Sequence, residues 1–232
     1  MIDLPTLMYE GKPALPPKMD DLERLHKMIL DNFSLTVLEF GCGYSTFVIA
    51  DALTINWNRW SSNETKPKVR NSKMFKCYSV DTNREWLREC ANKIDNDNVV
   101  FWNSPCEPGL HNGQLCHYYT KMPDVVPDFI YLDGPDPKQV EGAVNGLSWQ
   151  CAERTPMAAD ILLMEPTLIP GTVILVDGRT NNARFLERNL QREWSIVYDQ
   201  ENDFTQMELV EPSLGEINAV GRDINWAFPR KN

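Results

Sequence analysis

Four acidic residues stand at or next to the end of an apolar run. Glu39 lies in Val37-Leu38-Glu39-Phe40-Gly41-Cys42-Gly43, Asp81 follows Ser79-Val80, Asp133 follows Phe129-Ile130-Tyr131-Leu132, and Asp177 follows Val173-Ile174-Leu175-Val176. A carboxylate at a strand's carboxyl end faces the crevice where open α/β sheets bind ligands, and there it can accept hydrogen bonds from hydroxyls or take a proton. In the first segment Gly41 and Gly43 permit a tight turn that lets a ligand approach the backbone. Cys42 lies in that turn, and the small residues Ser45 and Thr46 open the next element, where either can cap a helix and leave free N–H groups toward the ligand. Asp81 is placed to accept two hydrogen bonds from ribose hydroxyls.

Alternating strand and helix patterns position these groups. Residues 19–33 read as an amphipathic helix with Leu22, Leu25, Met28 and Ile29 on one face. Strands are expected at 35–40, 75–81, 99–102, 128–133 and 171–177, with helices at 45–53, 83–94 (Trp86, Leu87 and Cys90 inward), near 157–164 and at 181–194. Strands at 195–198 and 205–210 read as a closing antiparallel hairpin. The alternation implies a mostly parallel sheet between two helical layers. Residues 1–34 form an arm and a helix packing on the core, 35–212 the main domain with an insertion near 56–73, and 213–232 a tail. The stretch 104–127 shows no clear period and reads as a functional loop.

Composition narrows the function. The 232 residues suffice for one sizeable core, and a net charge of −10 disfavours a phosphate-backbone substrate, so nucleic acid is an unlikely partner. No apolar run approaches the roughly 18 residues of a membrane span, and the first residues do not read as a signal peptide. The six cysteines form no Cys-x-x-Cys pair and read as free thiols of a cytoplasmic protein; homo-oligomerisation stays open.

Together the four acidic segments resemble the class I S-adenosylmethionine-dependent methyltransferases. Glu39-x-Gly41-x-Gly43 matches that family's first motif and Asp81 the acid ending its second strand, while residues 128–134 and 170–177 resemble its fourth- and fifth-strand motifs. The resemblance implies a Rossmann-like three-layer αβα sandwich with seven strands in the order 3-2-1-4-5-7-6, the seventh antiparallel. It implies S-adenosylmethionine across the ends of strands 1, 2 and 4, with Glu39 toward its methionine end. Asn103 and Ser104 would lie where the family contacts adenine, although turn chemistry explains them equally well. Two departures stand out: Ser45 replaces the third glycine, and the turn-to-Asp81 gap is about twice the ~20 residues of dinucleotide folds.

In that strand order Asp133 and Asp177 end adjacent strands, about 4.8 Å apart. The pair suits a divalent metal such as Mg²⁺, as in the catechol-type O-methyltransferases, but those carry Asn where Gly178 stands, leaving Asn181 or Asn182 to substitute. Without metal, one aspartate acts as base or orients the acceptor; the plainer alternative is that both cap loops. Arg179 pairs with Asp177 or receives an anionic group. His111 and His117 are candidate bases, or ordinary loop residues. The expected activity is O-methylation of a small molecule or sugar; no amino-methylating Asn/Asp-Pro-Pro-Tyr/Phe pocket is visible. The alternatives are a cofactor-binding protein without catalysis and an NAD-dependent dehydrogenase, whose Gly-x-Gly-x-x-Gly fingerprint would need glycine where Thr46 stands.

Overall fold

The computed structural model describes residues 3–64, 66, 68–213, 215 and 217–223. In chain order the elements are β1 (Met8–Tyr9), β2 (Lys12–Pro13), α1 (Met19–Asp31), β3 (Thr36–Phe40), α2 (Tyr44–Ser61), β4 (Lys76–Asp81), α3 (Arg84–Lys93) and β5 (Val99–Asn103). They continue with β6 (Cys106–His111), β7 (Gln114–Tyr119), β8 (Phe129–Leu132), α4 (Asp160–Met164), β9 (Val173–Asp177), α5 (Thr180–Asn189), β10 (Trp194–Asp199) and β11 (Phe204–Leu209). The main sheet has seven strands in the order β10-β11-β9-β8-β3-β4-β5. Counted along the chain without the two satellite hairpins β1–β2 and β6–β7, this is 3-2-1-4-5-7-6 read from the β5 edge. β11 runs antiparallel to both neighbours and the remaining pairs are parallel. The fold is the expected Rossmann-like αβα sandwich, and the satellite hairpins are its departure in detail.

The two-residue period of the strands divides the core. Leu38, Phe40, Ile130, Leu132, Ile174 and Val176 pack on the face covered by β6–β7, α4 and α5. Val37, Phe129, Tyr131, Val173 and Leu175 meet Leu22, Leu25 and Ile29 of α1 and Val48, Ile49 and Leu53 of α2. By the same alternation Glu39, Asp133 and Asp177 belong to the α1–α2 side, which is why three acids distant in sequence gather at one edge.

Several expectations are corrected. α2 continues to Ser61, through the first part of the expected insertion. Asn56 is fully buried, and its amide donates to the carbonyls of Ile29 (3.3 Å) and Ser34 (3.1 Å); the tie to α1 offsets the poor helix propensity of asparagine. The supposed loop 104–127 holds the β6–β7 hairpin, turned at Asn112 (φ 50°) and Gly113 (φ 75°). Two successive positive φ angles define the turn that asparagine–glycine favours. α4 starts at Asp160, because Met157 and Ala158 are tied through their N–H groups to His117 and Asn182. α5 stops at Asn189, and the chain turns into β10 on the Glu165 carboxylate, which accepts from the N–H groups of Gln191 (2.8 Å) and Arg192 (2.8 Å) and from Trp194 Nε1 (2.9 Å). Part of the supposed tail packs back: Ala219 and Val220 are buried, and the Arg222 N–H donates to the Asn32 carbonyl (3.0 Å). Residues 224–232 lie outside the described residues. No helix among the described residues is long and apolar enough to cross a membrane.

Candidate active site

The turn after β3 is built on backbone contacts. Gly41 has φ +94°, its N–H donates to the Val80 carbonyl (2.9 Å), and a Cβ there would lie 2.8 Å from the Gly134 nitrogen. Conversely, a Cβ on Gly134 would lie 2.4 Å from Gly41 Cα. The turns after β3 and β8 therefore cross backbone on backbone, where only glycine fits.

Asp81, at the end of β4, accepts from the Cys42 N–H (3.0 Å) through one oxygen and from the Asn83 N–H (2.7 Å) through the other. Burial raises its pKa, and these backbone bonds act against the rise. Asn83 caps α3 by accepting from the N–H groups of Glu85 and Trp86, both at 3.0 Å. Trp86 is thereby aimed at the turn, and its Nε1 donates to the Cys42 carbonyl (2.5 Å). Over these groups opens a cavity of about 380 Å³, lined by Gly41, Cys42, Gly43, Asp81, Trp86 and Gly134 among others. The volume falls within the roughly 300–1,000 Å³ of small-ligand sites.

Some expected contacts lie elsewhere. Glu39 is fully buried and accepts from the hydroxyls of Ser45 (2.5 Å) and Thr46 (2.7 Å). Burial, only partly offset by those bonds, pushes its carboxyl up to about 7. Thr46 Oγ1 also accepts from the Gly43 N–H (3.1 Å), so Glu39 and Thr46 brace the turn from beneath and line neither cavity described here. Asn103 Nδ2 donates back to the carbonyls of Asp81 (3.1 Å) and Thr82 (2.9 Å). Ser104 is fully buried and accepts from the Lys121 N–H (2.9 Å). Both shape the β4–β5 edge and neither lines the cavities.

A second cavity, about 350 Å³, adjoins the first and shares Cys42, Gly43, Tyr44 and Asp133 with it. Asp21, Ser45, Tyr131, Asp177 and Gly178 also line it. Asp177 accepts from the Tyr131 hydroxyl at 2.6 Å. Asp133 lines both cavities, with 55% of its side chain open to solvent. Burial pushes its carboxyl up to about 6; Arg179 acts against the rise and Asp177 adds to it.

Arg179 pairs with Asp133 rather than Asp177. Its Nε lies 3.8 Å from Asp133 Oδ1, and its Nη2 donates to the carbonyls of Asp133 and of Pro135 (3.1 Å). A metal does not fit this donor set. Gly178 offers no side chain, the Asn182 amide is spent on the Ala158 N–H (2.9 Å) and carbonyl (3.0 Å), and Asn181 reaches toward Thr155 (3.4 Å). Among the described residues no three His, Cys, Asp or Glu side chains form a metal-binding group.

The two histidines are likewise removed from the site. His117 is fully buried, its Nε2 accepts from the Met157 N–H (3.0 Å), and its Nδ1 lies 3.4 Å from Cys106 Sγ. Burial, aided by Arg179, lowers its pKa to about 3, so it is a neutral core residue. His111 contacts the Tyr118 hydroxyl (3.3 Å) and the edge of Phe185. Neither lines the two cavities. The sequence reading missed the arm residues Tyr9, Ala14 and Leu15 on the first cavity and Asp21 of α1 on the second. Glu10-Gly11 is not a favoured hairpin pair and its flanking strands are two residues each, so little in the sequence announced the arm's hairpin.

No family model and no curated protein matches the chain. Methyltransferases are among the solved structures that resemble it. The O-methyltransferase TomG from Streptomyces achromogenes, in complex with SAM, is 15% identical, with 86% of this chain and 84% of that one covered and a TM-score of 0.46. The SAH-bound methyltransferase PaMTH1 from Podospora anserina is 12% identical, covering 84% and 80%, with a TM-score of 0.49. An RNA methyltransferase from Salinibacter ruber, in complex with S-adenosyl-L-homocysteine, is 11% identical, covering 88% and 100%, with a TM-score of 0.39. Likeness at this level carries nothing about this chain's substrate.

Proposed function

We propose that the chain is an S-adenosylmethionine-dependent methyltransferase that methylates a hydroxyl of a small molecule or sugar. The observation that carries the reading is the pair of adjoining cavities. One is lined by Asp81, which would accept from ribose hydroxyls; the other carries Asp21, Asp133 and Asp177, and the two meet at Asp133 and the glycine turn. Bound S-adenosylmethionine would supply an activated methyl group on a sulfonium. Gly41, Gly43 and Asp81 would hold its nucleoside part, with Glu39 and Thr46 keeping the turn in shape. Asp133 would accept a hydrogen bond from the acceptor hydroxyl, orient it and take its proton. Its raised pKa would make it a stronger base than an ordinary aspartate. Asp177, oriented by Tyr131, would bind a second hydroxyl. Asp21, Asp133 and Asp177, offset in part by Lys18 in the lining and by Arg179 beside Asp133, leave a surplus of acid that disfavours an anionic acceptor and suits an uncharged polyol. No step is assigned to a metal, because the donors do not fit one.

Calorimetry with S-adenosylmethionine, S-adenosylhomocysteine and NAD tests the cofactor. Binding of the first two is expected, and Asp81→Ala should weaken S-adenosylhomocysteine about 10–100-fold by removing charge-assisted hydrogen bonds. Binding of NAD alone overturns the reading. Single-turnover transfer of labelled methyl to a panel of hydroxylated small molecules tests the chemistry; cofactor binding without transfer to any panel member would favour a binding protein.

A further inference from the structure

We infer that the N-terminal arm completes the cofactor site, with Leu15 as an apolar wall that closes on the bound nucleoside; this rests on the methyltransferase reading above. The floor of the 380 Å³ cavity comes from the strand ends, but Tyr9, Ala14 and Leu15 on one of its sides come from the arm. The arm is anchored. Leu7 is fully buried against Phe47, Leu87 and Cys90, and its N–H donates to the Tyr44 hydroxyl at 3.3 Å. The Ala14 N–H donates to the Leu7 carbonyl at 2.8 Å, closing the small β1–β2 hairpin.

Tyr9 sets its edge against Trp86, with centroids 5.7 Å apart and planes at 90°, and its hydroxyl accepts from Asn83 Nδ2 at 3.2 Å. The arm thus grips the residues that flank Asp81. Beyond Leu15, Pro16 and Pro17 stiffen the chain up to α1 and hold the residue before them extended.

Leu15 itself is 89% exposed although it lines a cavity. An apolar side chain fixed at the rim of a ligand-sized cleft, with little protein covering it, is placed to be covered by the ligand. The apolar face of a nucleoside whose ribose meets Asp81 is the chemistry it suits. Because Leu15 is so exposed, replacing it should not disturb the fold.

The test uses the full chain and S-adenosylhomocysteine as probe. Leu15→Ala should weaken binding about tenfold and Leu15→Asp further, whereas Val197→Ala, a control at another exposed apolar position, on β10, should bind as wild type. The ligand should also slow tryptic cleavage after Lys18, which is exposed and followed by Met19. Leu15→Ala affinity within twofold of wild type, with cleavage of the arm unaffected by ligand, overturns the inference and leaves the methyltransferase reading standing. A wild-type chain that binds neither S-adenosylmethionine nor S-adenosylhomocysteine overturns both.

Discussion

Asp128 and Asp133 flank the same strand, β8, and burial pushes both carboxyls up to about 6. Their surroundings differ. Asp128 is 1% exposed, and its oxygens accept from the N–H groups of Leu35 (2.8 and 3.0 Å) and Thr36 (2.9 Å), tying the entry of β3 to that of β8. Asp133, at the carboxyl end, has Arg179 at 3.8 Å as its side-chain ion partner and opens onto two cavities. A raised pKa therefore does not by itself mark chemistry. Exposure to two adjoining cavities separates Asp133 from Asp128.

The largest expected effect falls on the buried one. Asp128→Ala leaves two backbone N–H groups without their acceptor and should lower unfolding free energy by roughly 3–5 kcal/mol, with unchanged S-adenosylhomocysteine affinity in the folded fraction. Denaturant melts check this; a loss under about 1 kcal/mol would break the comparison from the structural side. Asp133→Asn should leave the melt almost unchanged and keep cofactor affinity within about threefold, but slow methyl transfer about 100-fold. Wild-type turnover in that variant would return Asp133 to a loop-capping role.

The pH profiles sharpen the contrast because the two groups act in opposite directions. Turnover should rise with pH through about 6 as Asp133 ionises, and Asp133→Asn should flatten the profile. For stability, the folded-state pKa of Asp128 lies above its ordinary 3.8, so the folded protein binds the proton more tightly than the unfolded chain. That contribution is full below pH about 4 and is lost as pH rises through about 6. Melts of wild type and Asp128→Asn across that window should diverge accordingly. The smallest effect is expected from EDTA, which should change turnover less than about twofold if Asp133 works without metal. Loss of activity with recovery on adding Mg²⁺ would overturn the donor-set argument.

The sheet was legible because apolar runs of strand length alternated with helical patterns. The order of its strands came from the resemblance. Polar elements were harder to read. Asn56 continues α2 through a buried tie to α1, a contact no local pattern announces. Pro108 and Gly109 broke the alternation of β6, although Asn112-Gly113 marked the hairpin. At the site, the positions of Asp81, Asp133 and Asp177 followed from strand ends. The inward turn of Glu39 did not, because Ser45 and Thr46 capture its carboxylate only once α2 is in place. Nothing in the local pattern of 111 and 117 indicated that one histidine would be buried in the core and the other set against α5.

The crossing of Gly41 and Gly134 has a consequence for how the site can change. Any side chain at either position would collide with the other turn's backbone at 2.4–2.8 Å, and no single compensating substitution makes room, since both neighbours are already glycine. Variation that reshapes the second cavity is free to work at other lining residues, Asp21 or Leu22 for example, but has no route through the junction itself. For a designer reshaping that cavity, the junction is a fixed hinge-pin of the scaffold, and the library belongs on α1.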